Sequence, residues 1–222
     1  RRGRALLLDC RSLEWRTLPM PRRSELWLAD TGTRRRLTEG ALNDRQRECR
    51  QAVAALAGRI HGVSALRDVQ PGLLEANAGA VPEPALSRAR HIVAEEARVL
   101  EAAEALAAGD ELRLGGLMDA SHTSARDLYD ASGPALEAMW AAGHQVEACL
   151  GGRFIGAGFA GCVLFLVVAG HGPAFANEVG RRYAEATGLP PRITRVRAAA
   201  GASTGRLPGD PRDRLASRRG RC

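Results

Sequence analysis

The stretch "GRFIGAGFAGCVLFLV" (Gly152–Val167) sets a glycine-rich segment directly against an unbroken apolar run. Two readings compete for its glycines. Successive backbone N–H groups can converge on an anion where glycine permits left-handed or extended geometry. Alternatively, glycines let one buried strand turn sharply into the next without collision. The segment leads into a strand-like run rather than a helix, which argues against both the dinucleotide-binding fingerprint and the P-loop. Taken alone, the tight strand connection is the stronger reading, with Gly152–Phe154 and "CVLFLVVA" as the two strands.

The surrounding sequence places that connection in a mixed α and β chain. Residues 5–30 read as β: "ALLLD" is apolar, Leu13 and Trp15 alternate with charged residues, and "ELWLAD" follows a Pro-Met-Pro turn. From Asn43 the period becomes helical, with Asn43 or Asp44 as cap and Cys49, Val53, Leu56 and Ile60 on one face. "SALRDVQPG" reads as a loop ending at Pro71-Gly72. A long helix runs from Pro84 to Gly109 on a seam of Leu86, Val93, Leu100 and Ala107. Further helices are predicted from Asp110 to about Ser124, after Pro134, and over Phe175, Val179 and Tyr183, before a last strand at "RITRVR". Strands and helices alternate at the end, which predicts helices packed on one face of a small sheet.

Composition narrows the function classes. The net charge is +7, but eight arginines against Asp210 and Asp213 put +6 of it between Arg195 and Cys222. The body is nearly neutral, so it lacks the basic footprint of a nucleic-acid groove reader. All 32 basic residues are arginine, which excludes a lysine phosphate clamp and a lysine Schiff base. The five cysteines are scattered and never form CxxC, so neither a zinc site nor a disulfide framework fits, and a reducing, cytoplasmic setting is expected. The longest apolar run, Gly161–Gly170, is about half of what a bilayer span requires, and no membrane or nucleic-acid partner is expected. The opening "RRGRALLLDC" enters a strand without a methionine, as a fragment of a longer chain would.

Single residues add little. His122 beside Ser121, and His91 on the long helix, read as members of local hydrogen-bond networks rather than bases. Asp119, Asp127 and Asp130 show no spacing that commits them to a cation. Glu95, Glu96, Glu101 and Glu104 read as the wet face of the long helix, and Arg34–Arg36 as a solvated loop end.

The combination of motifs says more. "LNDRQREC" (Leu42–Cys49), "ALRDV" (Ala65–Val69), "RARHIVAEEARV" (Arg88–Val99), "LMDASHTSARDLYDAS" (Leu117–Ser132) and "GRFIGAGFAGC" (Gly152–Cys162) occur in that order. Together they resemble the C-terminal half of the galactokinase family, within the GHMP small-molecule kinases. "DCRSLEWRTLP" and "LADTGTRRRL" resemble the strands that precede these motifs. The resemblance covers about residues 4–202.

What it implies is an α+β fold, a small antiparallel sheet in a ferredoxin-like arrangement with helices packed on one face, as the GHMP-kinase C-terminal domain over residues 41–202. With it go strands within 1–40 that pair with a missing N-terminal domain, and a disordered Arg-rich tail at 203–222. It implies ATP-dependent phosphorylation of the anomeric hydroxyl of galactose or a related sugar, with Mg²⁺. Gly156, Ala157, Gly158, Phe159, Ala160 and Gly161 match the family's third motif, and would wall the cleft near sugar and phosphates. Leu42 and Asn43 fall at the sugar-binding position, where Leu42 replaces the family's tyrosine. Ala160 replaces a usual glycine, and strain is expected there if the backbone needs positive φ. No residue here matches the family's catalytic aspartate, catalytic arginine, main ATP loop or metal carboxylate. The resemblance therefore implies no catalytic and no metal residue in this chain, and an N-terminal half as partner. A non-catalytic sugar- or nucleotide-sensing relative is the second reading. A nucleic-acid binder working through the tail is the third.

Overall fold

The structure is a computed structural model that describes residues 3–34 and 40–199. The proposed tail at 203–222, Cys222, and Arg35 and Arg36 lie outside the described residues. Among the described residues there are six strands: β1 (Arg4–Leu8), β2 (Trp15–Pro19), β3 (Ser24–Asp30), β4 (Cys149–Phe154), β5 (Cys162–Val168) and β6 (Arg192–Val196). Six α-helices accompany them: α1 (Ala41–Ala57), α2 (Pro71–Ala76), α3 (Ala85–Ala108), α4 (Glu111–Asp127), α5 (Pro134–His144) and α6 (Gly172–Thr187).

The main sheet has the order β4-β5-β3-β6, and all three pairings are antiparallel. That order, with helices between β3 and β4 and between β5 and β6, is the ferredoxin-like arrangement expected from sequence. β5 alternates as a buried strand should. Val163, Phe165 and Val167 join Trp27 and Ala29 of β3, Leu136, Met139 and Ala142 of α5, and Phe175, Val179 and Tyr183 of α6 in the largest core cluster. Leu166 points the other way, against Ala105 of α3 and Leu114 of α4. The helices expected on one face are thus α5 and α6, while α3 and α4 reach the opposite side. A second cluster joins α1 and α3 through Ala52, Leu56, Leu66, Leu74, Leu86 and Val93.

Several boundaries differ from expectation. β3 pairs with β5 and β6 inside the main sheet. β1 and β2 instead make a separate two-stranded hairpin. α1 starts at Ala41 after Gly40, which sits at φ 62, and neither Asn43 nor Asp44 caps it. Pro71 opens α2 rather than closing a loop, as its lack of an N–H suits the first helical position. α3 ends as predicted at Gly109, at φ 69.

The predicted seam of α3 is only half buried. Leu86 and Val93 are in the core, while Leu100 is 51% exposed and Ala107 is on the surface. Leu100 and Val99 face a groove of about 800 Å³ shared with Leu7, Leu8, Leu13 and Trp15 of the hairpin. Leu13 and Trp15 are 70% and 63% exposed, a concentration of apolar surface that a lone domain seldom carries. The hairpin is tied down by Asp9 to Arg67 at 2.9 Å and Arg11 to Asp68 at 2.7 Å. No helix among the described residues is long and apolar enough to cross a membrane.

Candidate active site

The glycine-rich segment is the turn between β4 and β5. Its base closes where Ile155 N–H donates to the Cys162 carbonyl at 3.0 Å. On one side, Thr31 holds the Gly161 carbonyl with both its N–H (3.0 Å) and its Oγ1 (2.7 Å). Tyr183 in turn donates its hydroxyl to the Thr31 carbonyl at 2.8 Å. On the other side, Phe159 N–H donates to the Ala131 carbonyl at 2.7 Å. Gly156 and Ala157, at the apex, are exposed; Gly158 is buried, and Phe159, Ala160 and Gly161 are half-buried. The bend therefore opens to solvent at its tip and is anchored at both shoulders.

Its backbone needs glycine at specific points. Gly156, Gly158 and Gly161 sit at φ 76, 80 and 104. The strain expected at Ala160 is found instead one residue earlier, where Phe159 adopts φ 67. A non-glycine residue in the left-handed region costs roughly 1 kcal/mol or more, and such positions persist only where their surroundings hold them. Here the surroundings are the 128–133 loop between α4 and α5. A Cβ on Gly158 would lie 1.9 Å from the Ala131 carbonyl oxygen, and one on Gly133 would lie 2.7 Å from that of Phe159. Loop and bend interlock at contact distance.

The loop is itself gripped from α1 and α3. Arg88 gives Nε to Glu48 at 2.8 Å, Nη1 to the Leu128 carbonyl at 2.6 Å, and pairs Nη2 with Asp130 at 3.6 Å. Arg45 uses Nη1 towards Glu48 at 3.2 Å and Asp130 at 3.3 Å. Leu42 and Asn43 occupy the first turn of α1, less than one turn from Arg45, and both are exposed. The two predicted site segments are thus bonded to the same loop, one through Arg45 and one through Phe159. Sequence reasoning did not find this cluster. Its one local signal is the spacing of Arg45 and Glu48, three apart on a helix face; Arg88 and Asp130 arrive from far along the chain.

The histidines fall into hydrogen-bond networks. His122 is fully buried, accepts from Phe154 N–H on Nδ1 at 3.3 Å, and meets Glu137 through Nε2 at 3.1 Å. Trp140 stacks on its ring at 4.8 Å. Glu137 also takes Ser132 and Arg126. Asp119 accepts from Gly152 N–H and meets His144, each at 2.8 Å. Asp127 pairs with Arg126. Arg34 pairs with Asp30 at 2.7 Å. Glu95 differs from expectation: it is largely buried rather than on the wet face, where it accepts from Ser121 and pairs with Arg98 at 2.7 Å and Arg153 at 3.2 Å. Among the described residues, no group of three or more His, Cys, Asp or Glu side chains converges to hold a metal ion. Cys10, Cys49, Cys149 and Cys162 are free thiols, and burial pushes Cys149 up to about 12.

Burial pushes the His91 imidazole down to about 4 from an ordinary 6.5, although Glu95 pulls the other way. His122 is lowered too, again by burial first. Both are held neutral when folded and take protons more readily when unfolded. Folding stability should therefore fall as pH drops from 6.5 towards 4, with His91 accounting for on the order of 2–3 kcal/mol. Urea midpoints measured across that range should show a shallower slope in His91→Asn than in the parent chain. An unchanged slope would contradict the assignment.

No protein-family model matches the chain. It is 39% identical over 201 residues to the galactokinase of a Roseiflexus species, covering 90% of this chain and 51% of that protein. It is 40% identical over 186 residues to the galactokinase of Chloroflexus aurantiacus, covering 84% and 48%. The structure superposes on Lactococcus lactis galactokinase complexed with galactose at a TM-score of 0.87 and 31% identity, over 91% of this chain and 52% of that one. This is a galactokinase-like chain. It spans about half the length of the curated relatives it matches. Leishmania major mevalonate kinase shares the galactokinase-like fold at a TM-score of 0.56 and 21% identity.

Proposed function

We propose that this chain forms the C-terminal half of an ATP-dependent sugar kinase acting on galactose or a related sugar. The observation that carries the reading is the bend at 155–161. It is open at its tip and fixed at both shoulders, in a chain that matches galactokinases at 38–40% identity. In the proposed reaction the anomeric oxygen forms a bond to the γ-phosphorus of ATP and loses its proton. The bond from that phosphorus to the β,γ-bridging oxygen breaks, and ADP leaves with sugar 1-phosphate. Such chemistry depends on positioning and on neutralising charge at the transferred group. This chain's contribution is positional: Gly156–Gly161 wall the cleft, and Leu42 and Asn43 face the sugar. The ATP loop, the catalytic aspartate and arginine, and the Mg²⁺ carboxylate belong to a preceding half, which would cover the apolar groove between the β1–β2 hairpin and α3.

The test is a fusion. The chain alone, given Mg·ATP and galactose, should form no sugar 1-phosphate. Joined to the preceding half of the Roseiflexus galactokinase, it should form it. In that fusion Leu42→Tyr should lower the KM for galactose about threefold to tenfold, the worth of one sugar hydrogen bond. A folded fusion without turnover would refute the reading.

A further inference from the structure

We propose that Arg88 and Arg45 are positioning residues for the glycine-rich bend, acting on it through the left-handed Asp130 and the Ala131 carbonyl. The inference rests on the reading of the bend as a cleft wall only for its functional meaning; the linkage itself is a matter of bonds within the fold. Asp130 adopts φ 51, a conformation that aspartate tolerates better than most residues. Its carboxylate, 68% exposed, meets two guanidiniums whose side chains are 9% and 10% exposed. Glu48, at 13%, is the second carboxylate of the cluster. Two positive and two negative groups balance, so the cluster is a strut across α1, α3 and the loop rather than a site awaiting an anion.

What the strut holds is the orientation of Ala131. That residue's N–H is bonded to the Ala125 carbonyl at 3.0 Å, and its own carbonyl takes Phe159 N–H at 2.7 Å. Gly158 passes so close to the same carbonyl that no side chain fits between them. A shift of Asp130 that displaced Ala131 would therefore be passed, through the carbonyl of the Ala131–Ser132 peptide, to Gly158 and Phe159.

The two arginines do different work. Arg88 spreads three nitrogens over three partners: Glu48, the Leu128 carbonyl and Asp130. Only a planar fork can do that, and lysine cannot replace it. Arg45 makes its ion pairs through Nη1 alone, and its buried Nε has no hydrogen-bond partner. A single ammonium at that point would satisfy the same carboxylates.

Amide hydrogen exchange at Phe159, read by NMR in the chain itself, tests this without reference to catalysis. Asp130→Asn keeps a residue that accepts the left-handed conformation and removes only the exposed charge. Asp130→Asn, which loses ion pairs at 3.3 and 3.6 Å, should speed Phe159 exchange about twofold to fivefold. Arg88→Lys, which also loses a charge-assisted hydrogen bond, should speed it about tenfold. Arg45→Lys should leave it near the parent rate, and Val179 in the core of α6 should be unaffected throughout. The proposal fails if Phe159 is unmoved in Asp130→Asn, if its exchange rises only in step with Val179, or if the two Arg→Lys variants behave alike. Should Arg88→Lys not fold, Asp130→Asn against Arg45→Lys decides the matter. A silent fusion enzyme would count against the kinase reading and leave this result untouched.

Discussion

Gly158→Ala should dislodge the bend from its neighbour and abolish turnover in the fused enzyme. The added Cβ would lie 1.9 Å from the Ala131 oxygen, 3.0 Å from the Ala131 carbonyl carbon and 2.9 Å from the Phe154 ring. Neither the loop backbone nor the ring is the free end of a flexible side chain. The residue also sits at φ 80, where alanine is strained by about 1 kcal/mol. Overpacking adds roughly 1–3 kcal/mol, so the sum should reach about 2–4 kcal/mol unless the bend pulls away. Gly156→Ala is the control. It has a similar φ of 76 but nothing within 4 Å, and should cost only the backbone strain. Urea midpoints of the two variants, with turnover of the corresponding fusions, make the comparison. Equal losses would show that conformation, and not contact with Ala131, governs the bend.

The second large effect lies in α4. A Cβ on Gly115 would fall 2.0 Å from the Leu150 carbonyl oxygen, and one on Gly151 would fall 2.1 Å from the Gly115 oxygen. Helix and strand touch backbone to backbone at this crossing. The same helix brings Asp119 to the Gly152 N–H and His122 to the Phe154 N–H. Gly115→Ala should push α4 off β4, lose those bonds and lower stability by about 3 kcal/mol or more. Gly116→Ala, next in line, meets nothing within 4 Å on an exposed helical position. It should raise stability by about 0.5–1 kcal/mol, since alanine is the better helix former. Thermal midpoints should move in opposite directions. A shared sign would mean that the close approach is not what glycine serves at 115.

The elements that could be read in advance are those with local signals. α3 has proline at its start and glycine at its end, and α6 has Phe175, Val179 and Tyr183 at helical spacing. β5 is a continuous apolar run, as a strand buried on both sides requires. What could not be read depends on distant partners. β3 looks like any other early strand until β5 and β6 are seen on either side of it. Leu100 has the right spacing for the core, yet faces an open groove because the hairpin does not close over it. At the site, the glycines of 156–161 announced a bend, but not that Phe159 would carry the left-handed conformation. Nor did any short-range pattern bring Arg88 to Asp130, or Thr31 to Gly161, since those contacts are made across 42 and 130 residues.

The place of β3 has a consequence for biosynthesis. Ser24–Asp30 leaves the ribosome long before the two strands that flank it, both of which lie beyond residue 160. Leu26, Trp27 and Leu28 must therefore wait with both edges open until those strands are made. Closure of so wide a loop is slow, and an open apolar strand is a template for the wrong neighbour. The nascent chain should be most in need of a chaperone in the interval between the emergence of Trp27 and that of Phe165, its partner in the finished sheet.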